Sequence, residues 1–265
     1  MHSDIPNARQ EPLEQAISGP GLTDFGYLKV PEQEKVRWVR RHFNTVAEKY
    51  DFMNSLLSFG THHIWKRIAV GMMKLREGDH VIDVCGGTAD LALLAAKDIG
   101  PSGRVTLYDI NWAMMVTGIP KVAGSPFAGQ IRYVQGDAEK ISFADESFNG
   151  AMVGFGIRNL THMEQGFREM HRVLKPGGKL MCLEFSEPHT PWFRWLYDFY
   201  SFYMMPCIGK LVGGSQQAYT YLPESIRLFP GPDEFKAILE DIGFRQVSYR
   251  RLTDGIAAVH VGTKG

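Results

Sequence analysis

The run from His80 to Asp90, His-Val-Ile-Asp-Val-Cys-Gly-Gly-Thr-Ala-Asp, constrains the fold more than any other part of the chain. β-Branched Val81, Ile82 and Val84 read as a strand, Leu91, Leu94 and Ala95 recur at helical spacing after Asp90, and Gly86 and Gly87 mark the turn between them. Glycines at such a junction admit positive φ and let a ligand come close to the main chain, while the helix start aims unpaired N–H groups at it. A chain built on this unit is expected to be α/β and to hold a nucleotide-like ligand at the turn. The competing reading is a glycine turn that binds nothing.

A dinucleotide fingerprint would need G-x-G-x-x-G, which is absent and argues against a nicotinamide-dependent dehydrogenase. Asp83, Cys85, Gly87 and Ala89 instead fall where S-adenosylmethionine (SAM) methyltransferases carry D-x-G-x-G-x-G, with Cys and Ala at two glycine positions. SAM has no pyrophosphate to cradle, so strict glycine is less necessary. Arg104 to Asp109 is the next strand, ending in a carboxylate placed for both hydroxyls of a ribose. The alternative is that Asp109 caps the helix from Asn111. Ile131 to Gly136 is a third strand, with Asp137 after it in a segment where a short side chain beside exposed backbone N–H groups is placed to read an adenine edge. Ala151 to Phe155 is a fourth, running into Gly154-Phe-Gly-Ile-Arg-Asn159. A helix carrying Phe167, Met170 and Val173 stops at Lys175-Pro-Gly-Gly178, and Lys179 to Phe185 is a fifth strand. After a helix over 232–243, strands Arg245 to Arg251 and Ile256 to Gly262 meet at Asp254-Gly255, a hairpin signal. The sum is a doubly wound α/β sheet with an antiparallel end.

Ahead of this core, residues 1–30 are polar and rich in Gly and Pro, and read as a mobile tail, poorly ordered before about Asp24, with Phe25 and Tyr27 anchoring its end. Residues 31–265 read as one domain: a helical portion over 31–76 and a Rossmann-like core over 77–265. Val36, Val39, Phe43, Val46 and Tyr50 line one helix face. Such a preamble is either a lid over the ligand cleft or packing against the sheet. Adjacent His62 and His63 cannot share a helix face as metal ligands and read as surface or capping residues, so no metal is expected. Twenty-nine basic residues balance twenty-nine acidic ones, which gives no sign of a nucleic-acid partner. Cys85, Cys182 and Cys207 form neither a disulfide framework nor a zinc pattern, and with no secretory signal a cytoplasmic location is expected. The aromatic stretch from Pro191 to Pro206 reads as a buried helix, an apolar ligand tunnel or a membrane-facing surface.

Several unrelated motifs now stand in one order: Ala47-Glu-Lys-Tyr-Asp-Phe-Met-Asn54 with Ser58-Phe-Gly60, the 154–159 segment, Arg172-Val-Leu-Lys-Pro-Gly-Gly178, Leu183-Glu-Phe-Ser186 and Tyr221-Leu-Pro-Glu-Ser-Ile-Arg227. In these the chain resembles the ubiquinone/menaquinone biosynthesis C-methyltransferases from about Thr23 to Lys264. The resemblance implies a Rossmann-like methyltransferase fold with a seven-stranded, mostly parallel sheet, a C-terminal antiparallel hairpin and an N-terminal helical lid. It implies SAM as methyl donor, a polyprenyl hydroquinone as acceptor, and SAM contacts at Thr88, Asp109, Asp137 with Ala138, and Gly154. Asp83, Gly86 and Gly87 belong to the turn beneath the donor, and Tyr50 closes over it from the lid. Transient peripheral contact with the inner face of the membrane is expected, and a homodimer and a complex of quinone-biosynthesis enzymes are left open. The rival reading is a non-catalytic, quinone-binding scaffold subunit.

Carbon methylation needs an electron-rich hydroquinol, whose hydroxyl has a pKa near 10 and must lose its proton. Arg158 and Asn159 are the sequence candidates for this work: Arg158 to stabilise the phenolate and Asn159 to orient the ring. The alternative for Arg158 is a pairing with a structural carboxylate.

Overall fold

A computed structural model describes residues 21–209 and 216–265. The expected mobile tail falls mostly on residues 1–20, which lie outside the described residues. Its last third is corrected: β1 (Leu22–Phe25) and β2 (Leu28–Pro31) pair as an antiparallel hairpin. Phe25 and Val30 are buried there against α1 (Glu32–Val46), and the Phe25 ring stacks on Tyr221 at 4.3 Å. Apolar burial, with a stacked ring pair that adds about 1 kcal/mol, holds a segment whose polar composition suggested disorder.

The core is one seven-stranded sheet. In chain order its strands are β3 (His80–Val84), β4 (Arg104–Asp109), β5 (Ile131–Gln135), β6 (Phe148–Gly154), β7 (Leu174–Phe185), β8 (Phe244–Leu252) and β9 (Ala257–Lys264). They lie side by side as β5-β4-β3-β6-β7-β9-β8, parallel except for β9, which runs antiparallel to both β7 and β8. The strand order reverses beside β3, so the crevice above the β3, β4 and β6 carboxyl ends is where such sheets bind ligands.

Helices cover both faces, as the burial of Val81, Ile82, Asp83 and Val84 on β3 requires. On one side α4 (Asp90–Asp98) buries Leu91, Ala92, Ala95 and Ala96. On the other α6 (Met163–Val173) sets Phe167, Met170 and Val173 into the sheet with α10 (Pro232–Ile242), whose Phe235 meets Phe167 at 5.3 Å. The Pro-Gly-Gly segment ends α6 as expected and shifts the β6–β7 register before Lys179.

Of the three N-terminal helices, α1 and α2 (Tyr50–Leu57) help wall the spaces above the carboxyl ends of the strands, whereas α3 (Thr61–Met73) packs Ala69, Val70 and Met73 against the sheet face and only its first turns reach the cavity, so the packing alternative holds for that helix. The aromatic segment forms α7 (Pro191–Phe199), a wide-turned π-helical stretch over Tyr200–Met204, and α8 (Met205–Ile208). With α9 (Gln216–Arg227) these helices wall a space above the sheet.

Candidate active site

The turn after β3 is held in a costly shape. Gly87 has φ +51, but so do non-glycine residues around it: Cys85 at +55 and Ala89 at +72. Side chains in the left-handed region cost about 1–3 kcal/mol each, so the surroundings impose this turn. Gly86 is required for space, since a Cβ there would lie 2.8 Å from Leu107 and 3.1 Å from the Asp83 carboxyl carbon. Cys85 in turn fills the volume that Gly156 leaves, where a Cβ would come within 2.4 Å of the cysteine Cβ.

Asp109 ends β4 and braces the turn. Its Oδ2 accepts from the Gly87 amide (2.9 Å) and its Oδ1 from the Asn111 amide (2.7 Å). The capping alternative belongs to its neighbour, because Asn111 Oδ1 takes the Met114 amide at the start of α5 (Trp112–Ala123). Burial pushes the Asp109 carboxyl up to about 6, the two amides only partly offsetting it. A desolvated carboxylate with lone pairs to spare fits a vicinal diol, whose hydroxyls would stabilise its charged form.

Asp83, beneath the turn, is fully buried. Only the Ala92 amide approaches its carboxyl, without a hydrogen bond of good geometry, and burial raises it to about 8. Gly87, Asp109, Asp137, Ala138, Gly154 and Asn159 line a narrow cleft of about 90 Å³. Asp137 turns its Oδ1 to the Glu139 amide (2.9 Å). Asp83, Gly86 and Thr88 form the turn's support rather than the cleft wall. Thr88 Oγ1 donates to Asp51 Oδ1 of α2 at 2.6 Å. Lys121 of α5 joins Asp51 (2.8 Å) and Asp90 (2.5 Å), and Lys66 of α3 also meets Asp90 (2.5 Å). Burial disfavours the Asp90 charge, yet the two ammonium groups hold its carboxyl well below the usual range.

A larger cavity of about 540 Å³ lies beside this cleft. Its walls are almost wholly apolar, including Met53, Leu57, Trp65, Phe185, Leu196 and Met205. Phe43, Tyr50 and Phe155 line both spaces, so the lid's Tyr50 stands on the boundary between them. Burial raises the Tyr50 phenol pKa, opposed by Arg158.

The two sequence candidates sit at the same boundary. Arg158 lines the apolar cavity, and its Nη1 meets Glu184 Oε1 at 2.9 Å with both side chains buried. Nη1 also donates to Phe155 O, and Nε to Ser225 Oγ (3.3 Å). The pairing with a carboxylate is therefore present, and it coexists with a position at the cavity wall. Glu184 was missed by sequence reasoning although Leu183-Glu-Phe-Ser186 ends a strand. Burial raises its pKa even against Arg158, and Oε2 has no partner among the described residues. Asn159 faces the cleft; its Nδ2 donates to Gly156 O (3.1 Å) and its Oδ1 accepts from Tyr221 OH (2.7 Å).

The expectation for His62 is corrected, since it is 4% exposed and packs its ring 3.9 Å from that of His63. Successive residues at the start of α3 still bring ligand atoms together: one each from His62, His63 and Asp90 lie within 4.8 Å. Lys66 and Lys121 already neutralise that Asp90, which makes the trio a poor cation site.

A doubly wound sheet ending in an antiparallel hairpin, with a strained glycine turn braced by a buried aspartate at the end of the next strand, is the arrangement of SAM-dependent methyltransferases. Two solved structures share this fold: a SAM-dependent methyltransferase from Thermotoga maritima (TM-score 0.59, 16% identity, 85% of this chain and 99% of that one) and the cyclase SpnF (TM-score 0.62, 13% identity, 85% and 94%). Sequence carries the assignment further. Residues 29–264 match the ubiE/COQ5 methyltransferase family, to which the chain belongs. Ubiquinone/menaquinone biosynthesis C-methyltransferases UbiE of Pseudomonas putida strain W619 and of Methylococcus capsulatus are each 46% identical to it over 242 residues. These span 91% of this chain and, respectively, 94% and 98% of the relatives.

Proposed function

We propose that this protein methylates a ring carbon of a polyprenyl hydroquinone in menaquinone or ubiquinone biosynthesis, with residues 31–265 acting as one catalytic domain. The observation that carries the reading is the pair of spaces that share Phe43, Tyr50 and Phe155: a narrow cleft over the glycine turn with the Asp109 and Asp137 side chains in its wall, and an apolar cavity large enough for isoprenoid units. Bound in the cleft, SAM supplies an electrophilic methyl on a cationic sulfur. Asp109 takes the ribose hydroxyls, Asp137 and Ala138 flank the adenine, and Gly87 and Gly154 give backbone access. Asp83, Gly86 and Thr88 hold the turn's shape. Tyr50 shuts the boundary and keeps water from the reacting ring. Arg158, with its charge shared with Glu184, stabilises the phenolate, while Asn159 orients the ring.

Among the described residues no helix is long and apolar enough to cross a membrane. A polyprenyl substrate resides in the bilayer, so the enzyme works as a cytoplasmic protein that docks peripherally. The surface for this is the outer stripe of α7 and its extension, where Trp192, Trp195, Phe199 and Tyr203 are exposed while Tyr197, Ser201 and Met205 turn inward. Interfacial aromatics suit the headgroup region. Homodimerisation and assembly with other quinone-biosynthesis enzymes are competing uses of that stripe, and sedimentation of the protein alone and in lysate separates them.

The deciding experiment supplies SAM with the demethylated benzoquinol and naphthoquinol and reads product masses. A gain of one methyl is expected on at least one reduced ring and on neither oxidised quinone. No gain on either hydroquinol, with polyprenyl binding but no SAM heat in calorimetry, would establish the scaffold reading instead.

A further inference from the structure

Arg158 cannot take the hydroxyl proton, because a guanidinium paired with Glu184 has no free lone pair. The cavity holds a better acceptor. Ser58 Oγ gives its one proton to Asn54 O at 2.6 Å, so its 2.7 Å contact with His62 Nδ1 is made by Nδ1–H donating to Oγ. This fixes the tautomer: Nε2 carries the lone pair. Nε2 makes no hydrogen bond among the described residues, and His62 is one of the polar side chains that line the apolar cavity. A ring nitrogen of His62 also lies within 4.8 Å of an Asp90 oxygen, and Asp90 begins the helix leaving the glycine turn. The imidazole thus stands where the cavity approaches that turn.

We propose that His62 is the general base of the reaction, its Nε2 receiving the hydroquinol hydroxyl proton while Ser58 and Asn54 hold the ring in the basic tautomer. The role rests on the hydroquinone methylation proposed above. As the ring carbon uses its π electrons to bond the methyl, the carbon–sulfur bond breaks with its pair left on sulfur, and the hydroxyl proton passes to Nε2, Arg158 stabilising the phenolate character that the oxygen gains as the proton leaves. The ring, now a dienone, then loses its C–H proton to water and regains the hydroxyl proton from the imidazolium. One proton is released per turnover.

The surroundings suit the task. Burial, then Lys66 and His63 on the same helix, lower the His62 pKa to about 4, against weaker pulls from Asp90 of α4 and Asp51 of α2. Tyr50, Arg158, Tyr197 and Tyr200 face the same cavity from its other walls. His62 is therefore neutral at every pH where the enzyme would work. A base this weak does not ionise a resting phenol of pKa near 10. It does accept the proton once the methyl bond is forming, because the hydroxyl is then far more acidic than imidazolium.

The test uses His62→Asn, whose amide can keep the bond to Ser58 but has no base at the Nε2 position, and His62→Ala. Wild-type methyl transfer is read first: no gain on either hydroquinol overturns the function and this role together. With wild type active, His62→Asn should lose roughly 100-fold in kcat with SAM affinity unchanged, and its rate should climb toward alkaline pH as the hydroquinol ionises unaided. Added imidazole should restore His62→Ala in proportion to its free-base concentration. Two results overturn the role. One is a His62→Asn enzyme within about three-fold of wild type with the same pH profile. The other is a loss in both variants that tracks SAM affinity and thermal stability and that neither alkali nor imidazole relieves.

Discussion

At single residues the site works by withholding solvent from charge. Asp109→Ala should weaken SAM binding by about 2–4 kcal/mol, two hydroxyls losing a charged acceptor, and Asp109→Asn by less; calorimetry that finds unchanged affinity would move the ribose elsewhere. Arg158 pairs with Glu184 and is proposed to serve the substrate oxygen, two duties that one substitution confuses. Arg158→Ala leaves Glu184 buried without its counter-charge, at a cost of about 3–5 kcal/mol in stability. Adding Glu184→Gln to it should restore most of the melting temperature but not the turnover, if the guanidinium also serves the phenolate. Recovery of both would make Arg158 purely structural. The sequence showed Arg158 and Asn159 through the segment that ends β6, but not their partners. Glu184 lies 26 residues and Tyr221 lies 62 residues away along the chain, and only the tertiary fold brings them in.

Among elements, the lid is fastened to the core by few but specific bonds. Asp51 of α2 takes the Thr88 hydroxyl from the turn and the Lys121 ammonium from α5. The Asp51 carboxylate is itself partly exposed, so the Lys121 pair is worth little and the Thr88 hydroxyl bond contributes about 1 kcal/mol. Asp51→Ala should therefore speed hydrogen exchange in residues 32–60 and loosen SAM binding severalfold, with the sheet's protection unchanged. A lid that exchanges at the wild-type rate would place its hold in apolar packing alone. The aromatic element yields a second expectation. Trp192→Ser with Trp195→Ser should reduce cosedimentation with anionic vesicles while leaving turnover of a detergent-dispersed, short-tailed hydroquinol intact. Helical spacing made α1 and α10 legible beforehand. It gave no orientation for the aromatic stretch, whose apolar residues leave no polar face to read; the inward row at Tyr197, Ser201 and Met205 emerges only against the cavity.

For the whole molecule, buried titrating groups set opposite slopes of stability against pH. His62 and His260 are neutral in the fold, burial lowering both to about 4 from an unfolded value near 6.5. Their contribution is complete above about 6.5 and is lost as pH falls toward 4, about 3 kcal/mol for His260. Asp83 acts in reverse: raised to about 8, it adds no penalty below its unfolded pKa and a growing one as pH climbs to 8. Melting curves should then show Asp83→Asn stabilising the protein at pH 8 far more than at pH 5, whatever it does to SAM binding. Equal effects at both values would mean that the carboxylate has a donor after all. The strands along the chain and the terminal hairpin were readable from punctuation by Gly and Pro and from alternating helix and strand patterns, since each is a local signal, whereas the order of strands across the sheet is not. The β1–β2 hairpin was not, because its stability lies in contacts with Tyr221 far along the chain. The two spaces that meet at Tyr50 differ in their walls, one with Phe59, Phe199 and Met204 and the other with Arg40, Glu139 and Thr161. Were the docking proposed above to hold, an enzyme with two mouths could trade its spent thioether for fresh donor without leaving the bilayer. Its throughput would then be set by lateral encounter rather than by repeated arrival from solution.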